Sequence, residues 1–155
     1  MTKNVCTTSE LCQFEGISCM GCCGHSYTNR KEVTEGIDKN TNEFNAHLKT
    51  NESLIIFRDR FETLRSCGIC RNMVWEEKKV LCPLHPAKNK GKDLRIGHCD
   101  RNYLCPTAKT FNKWSEKEKE KFRIFIRAKK LDWYSHSMGM DSGKLLKEFK
   151  SITDF

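Results

Sequence analysis

The stretch from Cys67 to Pro86, C-G-I-C-R-N-M-V-W-E-E-K-K-V-L-C-P-L-H-P, combines two cysteine-containing turns with a short hairpin. The apolar residues at 73–75 and 80–81 predict two strands, and the four charged residues between them predict the turn. Pro83 and Pro86 end the second strand, because proline cannot donate a hydrogen bond to a neighbouring strand. A cysteine pair therefore precedes the hairpin, and a cysteine and a histidine follow it.

The spacing of these residues, C-x2-C-x11-C-x2-H, is typical of a metal site. Structural zinc is usually bound by four Cys or His side chains in tetrahedral geometry. Here they arrive as two close pairs, Cys67 with Cys70 and Cys82 with His85, and Gly68 leaves room in the first turn. The alternative is that Cys67 and Cys70 are buried core thiols and that His85 lies in an exposed loop, where the two neighbouring prolines alone explain the turn.

A second group of cysteines lies in S-C-M-G-C-C-G, residues 18–24. Cys19 and Cys22 form another C-x2-C turn, and Cys12 precedes it. Cys23 directly follows Cys22, and we do not expect both adjacent thiols to bind one ion with the same geometry. Cys23 can instead serve a second centre, bridge a cluster or lie in the core.

The N-terminal group needs further ligands, and Cys99 and Cys105 are the obvious candidates. Thiolate-rich sites suit both Zn2+ and a [4Fe-4S] cluster. The Cys/His mixture with hairpin spacing favours zinc at the Cys67 site, whereas ten cysteines with one well-placed histidine favour iron–sulfur. We favour zinc at the Cys67 site and leave the N-terminal group open. The predicted metal ligands are Cys12, Cys19, Cys22, Cys23, Cys67, Cys70, Cys82, His85, Cys99 and Cys105.

The order of the cysteines resembles that of the YkgJ-type cysteine-cluster family, which is described as a zinc- or iron-chelating domain. The resemblance rests on C-x2-C-C-G at residues 19–24, a helical spacer, the Cys67/Cys70 pair, a cysteine followed by proline, and further cysteines after it. It covers roughly residues 12–105. It implies metal contact for Cys19, Cys22, Cys23, Cys67 or Cys70, Cys82, and Cys99 or Cys105.

The composition and length suit one small α+β domain, mostly α-helical and stabilised by metal, with one short hairpin that bears cysteine turns. We expect a Cys-rich segment at 1–28, helices at 29–66, the hairpin and cysteine cluster at 67–105, and helices at 106–155. The first segment has few large apolar residues, so metal bonds or docking must hold it. Ser115 predicts the start of a helix over 116–131, and Asp141 with Ser142 the start of a last short helix.

The chain carries a net charge of +8 and a pI of about 9.0. This charge permits binding to nucleic acid or phosphate, and the most one-sided basic group is Lys88, Lys90, Lys92 and Arg95. Such a loop beside a metal turn predicts a nucleic-acid-binding zinc module as one alternative function. The other interpretation is an ordinary solvated loop. A further alternative is an iron–sulfur protein that serves a redox or modification enzyme.

No sequence pattern predicts an enzyme, since P-loop, G-x-G-x-x-G, G-x-S-x-G and H-E-x-x-H motifs are absent. The Cys67/Cys70 pair follows a helix, whereas a redox C-x2-C opens one. The N-terminus shows no secretory pattern, and clustered cysteines in a reducing compartment usually bind metal. We therefore expect a cytoplasmic metal-binding protein whose metal is mainly structural, with an unknown protein partner and no membrane.

Overall fold

The computed structural model describes residues 9–47, 50–60, 64–95, 99 and 103–152, so Cys6 lies outside the described residues. Within them the fold is α+β and mostly helical, as predicted. The helices are α1 (Arg30–Asn45), α2 (Asn51–Asp59), α3 (Pro106–Asn112), α4 (Glu116–Lys129), α5 (Trp133–Ser142) and α6 (Lys144–Ile152). The strands are β1 (Gln13–Phe14), β2 (Ile17–Ser18), β3 (Val74–Glu76) and β4 (Lys79–Leu81), which pair as two antiparallel hairpins.

The chain forms two compact units. Unit 1 contains residues 1–22 and 102–155, and unit 2 contains residues 23–101. The chain thus leaves unit 1 between the adjacent cysteines Cys22 and Cys23. None of the described helices is both long and apolar enough to cross a membrane.

Unit 1 is built around an aromatic core from its C-terminal helices. Phe111, Phe122 and Phe149 are almost fully buried, and the rings of Phe122 and Phe149 meet edge to face at 5.0 Å. Leu11 and Phe14 of the N-terminal segment belong to the same core, with 0% and 5% of their surfaces exposed. The segment therefore docks by burial, and it forms the β1–β2 hairpin that the sequence did not predict.

Two helices of unit 1 lie in the region predicted to be helical, residues 106–155, but were not predicted individually. The short helix α3 starts at Pro106, with Cys105 at its N-cap. The sequence of α5 is W-Y-S-H-S-M-G-M-D-S, which has no apolar stripe. Its buried residues are His136, Ser137, Gly139 and Met140. Specific bonds fix this face: His136 Nε2 lies 2.9 Å from the Leu11 carbonyl, and Thr107 Oγ1 donates to the Met140 carbonyl at 2.7 Å.

The predicted caps of the C-terminal helices are correct in most details. Ser115 accepts a hydrogen bond from the Glu118 N–H at the start of α4. The helix ends at Lys129 rather than residue 131, because Lys130 takes a left-handed conformation with φ of 50°. Ser142 accepts from the Lys144 N–H at the start of α6, whereas Asp141 belongs to α5.

Unit 2 packs α1 and α2 with the predicted hairpin. Its strands pair Val74 with Leu81 and Glu76 with Lys79, so the turn is the two residues 77–78 rather than 76–79. The predicted helical region divides at Thr50, whose hydroxyl caps α2 by accepting from Ser53 N–H. The fold therefore has the expected hairpin in the expected place.

Candidate metal centres

Four predicted ligands of unit 1 line one small cavity. They are Cys12, Cys19, Cys22 and Cys105, which we call the first cysteine set, and the other walls come from Gly21, Leu104, Met140 and Asp141. The cavity has a volume of about 20 Å³, which is enough for one water-sized occupant. Thiols separated by more than eighty positions in the chain, from Cys22 to Cys105, are thus brought to one place.

Backbone N–H groups point at two of these sulfurs. Gly21 N donates to Cys19 Sγ at 3.5 Å, and Ala108 N donates to Cys105 Sγ at 3.5 Å. The second bond belongs to the α3 N-cap, so the start of a helix faces the thiol. Such bonds favour the thiolate over the thiol, and a thiolate is the form that binds a metal ion.

Burial opposes ionisation of the same thiols in the metal-free protein. It raises the pKa of Cys19 to about 12, and the neighbouring Cys12 and Cys22 add to the rise. Burial also raises the pKa of Cys105, to which Cys22 and Asp141 contribute. Cys12 and Cys22 are thus within electrostatic reach of Cys19, and Cys22 is within reach of Cys105. A divalent cation would compensate for the repulsion among their thiolates.

Helix α5 holds the Cys19–Cys22 turn. The Met20 N–H donates to the hydroxyl of Ser137 at 3.0 Å. A Cβ added at Gly21 would lie 2.7 Å from the Ser137 carbonyl oxygen and 2.9 Å from the Asp141 Cβ. The glycine is therefore required because the helix passes directly over this turn.

Unit 2 contains a second group of thiols around Cys82. Burial raises the pKa of Cys82 to about 12, and the nearby thiols of Cys70 and Cys99 add to the rise. The backbone N–H of Leu84 donates to Cys82, and that of Asn72 to Cys70. Each of these N–H groups belongs to the residue two positions after its cysteine, as Gly21 is two positions after Cys19. The turns that follow Cys19, Cys70 and Cys82 therefore share one hydrogen-bond pattern.

The main chain brings Cys23 to this second group. The Cys70 N–H donates to the Cys23 carbonyl at 2.9 Å, and Gly24 forms a β-bridge with Ile69. We call Cys23, Cys70, Cys82 and Cys99 the second cysteine set. All four lie in unit 2, whereas Cys22 lies in unit 1.

Cationic side chains stand beside the second set. Arg95 forms a two-point ion pair with Asp93, and the Cys82 and Cys99 thiols also favour its charged form. Burial raises the pKa of the Cys70 thiol, and the positive charge of the nearby Arg60 acts in the opposite direction. Positive charge at these positions stabilises thiolates.

The turn at Cys70 is fixed from α1. Asn40 is fully buried, and its Nδ2 donates to the carbonyls of Cys70 and Met73, each at 2.9 Å. Arg65 Nε donates in return to Asn40 Oδ1 at 2.6 Å. The amide therefore has partners for both of its polar atoms and locks the position of the turn.

The two remaining predicted ligands, Cys67 and His85, differ in their surroundings. The Cys67 thiol is buried against α1, where a Cβ added at Gly36 would be 2.8 Å from its sulfur. The His85 backbone N–H closes a turn to the Cys82 carbonyl at 3.2 Å. Burial and the Arg95 charge lower the pKa of His85, while Asp93 opposes them.

The basic loop is partly neutralised by acids. Lys88 Nζ lies 2.7 Å from Glu76 Oε1, and Arg95 is paired with Asp93. Lys90 and Lys92 are exposed. The loop therefore presents less net positive charge than its sequence suggests.

In the described residues, no three His, Cys, Asp or Glu side chains already converge as ligands around one point. The chain matches no protein-family model, no curated protein and no solved structure.

Several residues that build these sites gave no signal in the sequence. Asn40 and Ser137 hold the two C-x2-C turns, and Asp141 forms part of the first cavity wall. The one hint in the sequence is Asn40 itself, a polar residue at a position of α1 where the helical pattern would place an apolar one. A buried amide at such a position needs hydrogen-bond partners.

Proposed function

We propose that this chain is a zinc-binding protein with one ion in each cysteine set and that the ions are mainly structural. The observation that carries the proposal is the first cavity, where four cysteines from distant parts of unit 1 surround a space of about 20 Å³. Tetrahedral Zn2+ takes four such ligands.

The thiol chemistry also supports zinc. No disulfide joins any of the nine described cysteines, which is expected in a reducing compartment, and we infer a cytoplasmic location. N–H donors two residues after Cys19, Cys70 and Cys82 favour bound thiolates. The resemblance of the cysteine order to the YkgJ-type family agrees with metal chelation.

The adjacent cysteines are explained by the division of the chain. In this proposal Cys22 binds the ion of unit 1 and Cys23 binds the ion of unit 2, so the two thiols never share one geometry. Each ion would join chain segments of its own unit, and its binding energy would contribute to folding. Cys67 would act as a packing residue and His85 as a turn residue.

The test is zinc stoichiometry in full-length protein, combined with X-ray absorption. Wild type should bind two ions with sulfur neighbours at about 2.3 Å. Cys19→Ala/Cys105→Ala, which removes two of the four thiols, should lose the ion of the first set only, and Cys82→Ala that of the second set only. Cys67→Ala is the matched control and should retain both. Retention of both ions by Cys19→Ala/Cys105→Ala and by Cys82→Ala would refute the proposal.

A further inference from the structure

The first cavity has a fifth potential metal ligand in its wall. Asp141 lies near the C-terminal end of α5 and lines the cavity together with the four thiols. Its Cβ would be only 2.9 Å from a Cβ added at Gly21. The absence of a side chain at Gly21 therefore lets the helix bring a carboxylate against the C-x2-C turn.

The lining of the cavity places this carboxylate among the thiols. Asp141 borders the same space of about 20 Å³ as Cys12, Cys19, Cys22 and Cys105.

The Asp141 carboxylate has no compensating partner in the described part of the chain. None of those residues donates a hydrogen bond to it or forms an ion pair with it. A cation in the adjacent cavity would supply the missing interaction.

The four thiols differ in how accessible they are. Cys22 is exposed, whereas Cys12 and Cys19 are half-buried and Cys105 is buried. Competing thiols, chelators and oxidants reach an exposed cysteine first. Cys22 is therefore the ligand that a bound ion would most easily lose.

We propose that Asp141 replaces Cys22 as a ligand of the first ion when that thiol leaves. This inference rests on the proposed zinc site. Zinc accepts a carboxylate oxygen at about 2.0–2.2 Å in place of a thiolate at about 2.3 Å, so Cys12, Cys19, Cys105 and Asp141 complete a tetrahedral set. The ion of the first set is then exchangeable, and an incoming thiol can reach it from the Cys22 side.

The test uses Co2+ as a spectroscopic probe for zinc in full-length protein. Cys22→Ala should still bind two ions, with sulfur-to-cobalt absorption reduced by the share of one thiolate. Asp141→Asn alone should also bind two. The double variant Cys22→Ala/Asp141→Asn should bind one. Loss of an ion from Cys22→Ala alone, or two ions in the double variant, would overturn the inference.

A variant that restores the thiolate absorption is also needed, because the double variant could lose its ion simply by failing to fold. Adding Asp141→Cys to Cys22→Ala should restore the full thiolate absorption, because the new thiol would face the ion. The control is Asp132→Cys in the same background, at the other end of α5, which should not restore it. Unrestored absorption with Asp141→Cys would also overturn the inference.

A failure of this inference is distinguishable from a failure of the proposed function. If wild type binds no ion, or if Cys19→Ala/Cys105→Ala retains both, the zinc site itself is refuted. If both of those results are as expected and only the Asp141 variants disagree, the carboxylate is not a ligand. Asp132→Asn in the Cys22→Ala background is the control for loss of a carboxylate elsewhere on α5. This substitution keeps the N-cap of α5, because asparagine caps a helix as well as aspartate does.

Discussion

Replacing Gly21 with alanine tests whether the Cys19–Cys22 turn must lie against α5 to bind metal. The new Cβ would lie 2.7 Å from the Ser137 carbonyl oxygen and 2.9 Å from the Asp141 Cβ, and ordinary contact begins at 3.4 Å. The two contacts are thus too short by 0.7 and 0.5 Å. The nearest atom is helix backbone, which cannot swing aside as the end of a long side chain can, so the turn itself must move.

The size of this shift sets the expected effect. Overpacking of this kind costs about 1–3 kcal/mol, whereas metal–ligand distances tolerate changes of only about 0.2 Å. If the strain falls on the metal-bound state, the affinity of the first ion should fall by about 5- to 150-fold. The second ion should bind as in wild type, because none of its proposed ligands belongs to unit 1.

The assay is competition with a chromophoric zinc chelator, using the full-length protein. The matched control is Gly16→Ala, because a Cβ there meets nothing within 4 Å. Its φ of 84° makes alanine cost about 1–2 kcal/mol of folding stability, but the cysteine turn should not move. Two equally tight ions in Gly21→Ala, or equal weakening in Gly16→Ala, would refute the reasoning.

Three further predictions test the first cysteine set, the second cysteine set and the protonation of their thiols. Ser137→Ala removes the acceptor of the Met20 N–H and should cost about 1–3 kcal/mol, with weaker binding of the first ion only; weakening of both ions by chelator competition would contradict this. Asn40→Ala should lower the zinc affinity of the second set only, because the Cys70 turn loses its amide donor. An unchanged affinity would contradict a role for Asn40 in holding this turn. Zinc affinity should rise with pH near neutrality, since burial raises the pKa of Cys19 and Cys82 to about 12 and binding must displace their protons. For the same reason the metal-free protein should lose stability as the pH rises from about 9 towards 12. Proton release on zinc binding, measured in weak buffer, checks that the thiols ionise. Zinc uptake without proton release would contradict the assignment of these thiols as ligands.

Local patterns predicted the parts of the fold that short segments determine. The hairpin at 74–81 was visible because apolar residues flank a charged turn, and α4 because Ser115 precedes a charged, amphipathic stretch. The β1–β2 hairpin escaped notice since each strand has only two residues. Helix α5 escaped because its buried face contains His136 and Ser137, whose burial depends on partners elsewhere in the chain.

The candidate site was only partly predictable for a related reason. Spacing identified the C-x2-C turns, because their ligands are close in sequence. It could not show that Cys105 joins Cys12 rather than Cys99, since that grouping depends on where α3 lies. Spacing also paired Cys67 with Cys70. The buried Cys67 sulfur lies beside Gly36 of α1, and the pairing stays a prediction.

Native mass spectrometry of the full-length protein, purified without oxygen, tests the central claim most directly. Wild type should show a mass increase that corresponds to two zinc ions per chain. A metal-free chain in the presence of excess zinc would contradict that claim. A mass that corresponds to iron and sulfide would contradict the single-ion centres.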